Sequence, residues 1–166
     1  MPLVSSVGWK PWAATVPAGL VRSFLGEQNL TYVLIDHTAD LGIRVRGDDL
    51  SQLFANAALA LFDIIAKGSR IECSAELTME INGDDWADLM VNWLRELLYL
   101  WNGKGRLVHS LKILSLVEYT LTAVVKYDLY AEKKHTINRE IKAVTYHQIE
   151  VGQVSKGWTA QIIFDV

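Results

Sequence analysis

Asp36-His37-Thr38-Ala39-Asp40 places two carboxylates and an imidazole within five residues, a dense set of groups able to bind a metal or move a proton. The same residue types also make turns, because Asp and Thr side chains bond nearby backbone groups. Both readings fit the pattern. A second candidate is Ile162-Ile163-Phe164-Asp165-Val166, an apolar strand that runs to the last residue of the sequence. Such a strand holds its terminal carboxylate in place beside Asp165, and two anions so close need a neutralising cation or base. If it lies beside Asp40, several oxygens converge, and an oxygen-only set suits Ca²⁺ or Mg²⁺ far better than zinc. A solvated strand end is the plainer alternative. Third comes Glu140-Ile141-Lys142-Ala143-Val144-Thr145-Tyr146-His147, in which Glu140 and Lys142 share one face. Lys142 is either a solubility residue on a strand face or a contact to the acidic cluster or a phosphate, supported by Tyr146 or His147.

These residues need elements to position them. Residues 31–36 and the alternation of Leu41, Ile43 and Val45 with Gly42, Arg44 and Arg46 predict two strands around the Asp40 turn. Gly47-Asp48-Asp49 opens a helix, with Asp48 expected as its N-cap, and the stripe Leu50, Leu53, Phe54, Ala57, Ala58, Leu61, Phe62, Ile65 follows. Gly68 is the expected stop. Ile71–Ile81 alternates again, and Gly83-Asp84-Asp85 starts a second helix. Trp86, Leu89, Met90, Trp93, Leu94, Leu97 and Trp101 form its apolar face, opposite Asp85, Asp88, Asn92, Arg95 and Glu96. Strand-like stretches follow at about 109–117, 119–130, 139–147, 148–154 and 158–164. This order predicts an α+β domain, two amphipathic helices packed on a largely antiparallel sheet. The two Gly-Asp-Asp starts are read as a shared capping solution, without an internal repeat.

Composition narrows the function classes. The chain has 166 residues, 51% of them hydrophobic, with 16 Lys+Arg against 19 Asp+Glu. That is one globular domain's worth of sequence, too apolar for disorder, and its slight acidity argues against a free-standing nucleic-acid binder. No apolar run reaches the roughly 20 residues that span a bilayer. Cys73, the single cysteine, excludes an internal disulfide framework and is expected to be a small buried residue. All three prolines lie in the first 17 residues. Residues 1–30 are therefore expected outside the fold, and 31–166 form the domain. Trp12 to Val21 loosely resembles a signal-peptide core, but Pro17 and Gly19 interrupt it, so the expected location is cytoplasmic. A start placed too far upstream explains the segment equally well. There is no phosphate-cradling glycine loop, no Gly-x-Ser-x-Gly elbow and no HExxH pair.

Tyr32–Asp40 (YVLIDHTAD), Asn56–Asp63, the GDD start of the second helix with Trp93–Tyr99, Glu140–Tyr146 (EIKAVTY) and the ending Phe164-Asp165-Val166 together resemble the archease family. The likeness covers about residues 31–166 in order. It implies a non-catalytic activator of the GTP-dependent RNA-splicing ligase, which joins 3′-phosphate or 2′,3′-cyclic phosphate ends to 5′-hydroxyl ends. Such an activator promotes ligase guanylylation and multiple turnover in tRNA splicing or RNA repair, and meets RNA only through the ligase. The resemblance further implies a divalent cation, calcium foremost with magnesium or manganese possible, held by Asp40, Asp165 and the terminal carboxylate of Val166. Lys142 corresponds to the family's lysine and, with His37, is the expected partner or phosphate contact. Two other readings compete. One is a chaperone-like or RNA-binding module, and the other a metal-dependent phosphoesterase with His37 as base.

Overall fold

A computed structural model describes residues 20–25, 28–36, 39–69 and 71–166, with side chains at 32–35, 39–69 and 71–166. The larger sheet contains β1 (Leu20–Leu25), β2 (Gln28–Asp36), β3 (Asp40–Gly47), β7 (Ala143–Val144), β8 (Glu150–Val154) and β9 (Gly157–Asp165). Its order is β1-β2-β3-β9, and the far edge of β9 is shared between β7 and β8. The smaller sheet runs β4-β6-β5, from β4 (Ala75–Asn82), β6 (Thr120–Leu129) and β5 (Arg106–Val117). Every strand pairing among the described residues is antiparallel. The α+β architecture is as expected, but its strands divide between two sheets.

Helix α1 (Leu50–Ala66) packs against β3 and β9 of the larger sheet and β5 of the smaller one. It is buried on nearly all sides, including Leu59, Ala60 and Asp63 outside its apolar stripe. A helix between two sheets has no solvent face, and that is why α1 is apolar almost throughout. Helix α2 (Trp86–Asn102) keeps one wet face, exposing Arg95, Glu96 and Tyr99. Trp93 is fully buried beneath it, and its indole N–H donates to the Phe54 carbonyl at 3.0 Å. No helix among the described residues is long and apolar enough to cross a membrane.

Three sequence expectations change. Asp49, not Asp48, caps α1: its Oδ1 accepts the Gln52 N–H at 2.8 Å, while the Asp48 N–H donates to Gln52 Oε1. The same pair of bonds recurs at α2, from Asp88 N–H to Asp85 Oδ1 and from Asp84 N–H to Asp88 Oδ2. Asn56 and Asn92 then both reach back to the preceding strand, at Arg46 O and Asn82 O. Residues 47–56 and 83–92 are thus one local structure used twice, which is the shared capping solution read from the sequence. Cys73 is exposed rather than buried, because it precedes β4 instead of lying in it. Residues 20–25 and 28–30, expected outside the fold, form a hairpin on the edge of the larger sheet. The remainder of that extension, 1–19, lies outside the described residues.

Candidate functional site

The antiparallel register sets Asp40, the first residue of β3, directly opposite Asp165, the last of β9. Opposed residues point to the same face, with Cβ atoms about 5 Å apart. Asp40 is half-buried and Asp165 exposed. On the other edge of β9, Ala143 stands opposite Asp165, and the Lys142 N–H donates to the Asp165 carbonyl at 2.8 Å. The Lys142 ammonium donates to the Val166 main-chain oxygen at 3.2 Å. Four residues singled out from the sequence, Asp40, Lys142, Asp165 and Val166, therefore meet at one corner. His37, the fifth, lies outside the described residues.

Two carboxylates facing each other across adjacent strands repel unless a cation sits near them. A hard divalent ion between them would relieve that repulsion. Asp40, Asp165 and the Val166 oxygen are all oxygen donors, the type such an ion selects, and water or a partner would complete its shell. No cluster of three or more His, Cys, Asp or Glu side chains suited to a metal occurs among the described residues, so the Val166 main-chain oxygen is needed for a third donor.

The segment carrying Lys142 is held from both sides. Expected as a strand over 139–147, it pairs as β7 only at Ala143–Val144, with the Lys142 and Thr145 N–H groups bonding β9 on either side and the Ile141 and Val144 carbonyls accepting from α2 side chains. Asn138 N–H donates to the Ile65 carbonyl at 2.7 Å, binding the segment to the end of α1. Thr145 N–H and Oγ1 both donate to the Ile163 carbonyl. From α2, Asn102 Nδ2 donates to the Ile141 carbonyl at 3.0 Å and Arg95 Nε to the Val144 carbonyl at 3.1 Å. The Tyr146 hydroxyl donates to Asp88 Oδ1 at 2.7 Å, and the Arg95 guanidinium lies 4.6 Å from the centre of the Tyr146 ring. The Tyr146 bond, followed by the Asp84 N–H, holds the Asp88 carboxyl below its ordinary range, and the same carboxylate raises Tyr146.

Asp88, Arg95 and Asn102 are seven residues apart, two helical turns each, so they form one stripe along α2. The spacing was visible in the sequence, where it resembled an ordinary solvated face. A separate ionic group lies beside the smaller sheet, around Asp128 of β6. There the Lys134 ammonium bridges Glu72 at 2.8 Å and Asp128 at 3.1 Å. Buried His135 sits 3.2 Å from Asp128 through Nε2, and its Nδ1 accepts the Ala131 N–H.

A profile of the Archease protein family matches residues 32–166. The Pyrococcus furiosus protein named archease is 36% identical over 136 residues, which is 79% of this chain and 95% of that protein. The solution structure of Methanobacterium thermoautotrophicum protein 1598 superposes with a TM-score of 0.70 at 32% identity, covering 81% of this chain and 98% of that one. The crystal structure of a Thermotoga maritima archease, described as a possible chaperone, superposes with a TM-score of 0.56 at 20% identity, covering 80% and 94%.

Proposed function

The chain belongs to the archease family, and from that premise we propose that it activates the GTP-dependent RNA-splicing ligase without turnover of its own. In this reading it promotes guanylylation of the ligase and so repeated joining of 3′-phosphate or 2′,3′-cyclic phosphate ends to 5′-hydroxyl ends. The observation that carries the proposal is the register of Asp40 against Asp165, with Lys142 on the Val166 oxygen beside them. Asp40 and Asp165 would hold a divalent cation, calcium foremost, together with the Val166 carboxylate. Once bound, that ion supplies a concentrated positive charge to which phosphate oxygens are drawn. Lys142 supplies a further positive charge at the same corner, suited to a phosphate of the partner complex. Asp88, Arg95 and Asn102 fix the segment that presents it.

The test is multiple-turnover RNA ligation by the cognate ligase with the native chain and with Asp40→Ala. The native chain should stimulate, and the variant should lose the stimulation while keeping its circular dichroism spectrum. Full stimulation by Asp40→Ala removes the metal corner from the mechanism. A chaperone-like role is the second reading, favoured by the description of the Thermotoga relative. It predicts that the chain raises the yield of soluble ligase and leaves the turnover of folded ligase unchanged.

A further inference from the structure

Lys142 occupies an oxygen that the reading above gives to a cation. Its ammonium donates to the Val166 main-chain oxygen, while its own N–H is bound to the Asp165 carbonyl. The main-chain bond fixes where residue 142 sits. The exposed side chain swings on a flexible four-carbon stem. We propose that Lys142 is a built-in competitor for the divalent cation, holding Val166 when the corner is empty of metal and yielding that oxygen when metal binds. The inference rests on the metal reading and adds regulation to it. An ammonium and a divalent cation on one carboxylate repel each other, so metal binding favours withdrawal of the ammonium, the one of the two that is tethered. Displaced, it stays within a stem's length of the corner with its donors turned to water. Lys142 thereby becomes more available to an anion of the partner complex in the loaded state, which couples cation loading to anion contact.

The experiment is calorimetric titration of the full chain with calcium chloride at fixed pH and ionic strength. Lys142→Met should bind calcium about tenfold more tightly than the native chain, the order expected when a unit charge is removed from beside a divalent ion at a solvated surface. Lys142→Arg keeps the charge and should stay within roughly threefold of native. In the native chain, the ¹³Cε resonance of Lys142 should move with calcium at the midpoint seen by calorimetry. Calcium binding by the native chain with no tightening in Lys142→Met overturns the inference and leaves the metal reading standing. Equal tightening in Lys142→Arg also overturns it, since charge would then not be the cause. No calcium binding by any of the three chains overturns the metal reading and this inference with it.

Discussion

Tyr32 shows how a single residue ties the larger sheet to its helix. Its hydroxyl donates to Asp63 Oδ2 at 2.7 Å, and both residues are buried. Burial raises the Tyr32 hydroxyl above its ordinary range, and the hydrogen bond and charge of Asp63 add to the effect. The folded chain therefore keeps this proton where the unfolded chain loses it. Stability from the pair is whole below about pH 10, the ordinary tyrosine value, and falls as pH rises past it. Tyr32→Phe should cost about 1–3 kcal/mol at pH 7, since it deletes a buried hydrogen bond to a carboxylate, and should flatten the alkaline loss. Urea unfolding at pH 7 and pH 10.5 checks both, and an unchanged alkaline loss in the variant would assign it to other groups. Little of this was legible beforehand. Tyr32 lay in a β-rich run and Asp63 at the end of the Asn56–Asp63 match, with nothing in either to pair them. Their meeting depends on which strand lies over which turn of α1.

At the scale of the element, the two helix starts were the most legible feature, and the glycines in them are the least replaceable. A Cβ on Gly47 would lie 2.3 Å from the Leu53 nitrogen, and one on Gly83 would lie 2.4 Å from the Leu89 nitrogen. Both obstacles are backbone, so relief requires moving a helix against its strand. Gly47→Ala and Gly83→Ala should each cost about 3 kcal/mol or more. Asp49→Ala and Asp85→Ala remove one cap apiece and should cost about 1 kcal/mol. Denaturation midpoints of the four variants decide the order, and glycine variants no worse than cap variants would show that the helix start yields easily. The Gly-Asp-Asp triplet announced these turns because capping is local chemistry. The stripe Asp88, Arg95, Asn102 announced nothing comparable, because a polar helix face looks the same whether water or a strand covers it.

At the scale of the whole molecule, the corner joins β3, β7 and β9, and helices on both sides brace the segment that feeds it. A cation held there would stabilise the native chain only. Calcium at a hundred times its dissociation constant should add about 2.7 kcal/mol, roughly 5–10 °C in melting temperature for a domain of this size. Asp40→Ala should melt at the same temperature with and without calcium; a shift that survives in that variant would place the ion elsewhere. Periodicity, glycine punctuation and acidic caps determined the α+β class, both helices and most strands, since these follow from local burial and backbone geometry. The motifs also determined which residues to watch. The resemblance implied that Asp40 and Asp165 share a cation, but only tertiary structure set the register that opposes them, between strands more than a hundred residues apart. It likewise decided that the strands form two sheets around α1 and that Lys142 rests on Val166. Pairing across such distances is chosen by the packing of the whole core, which no local pattern records.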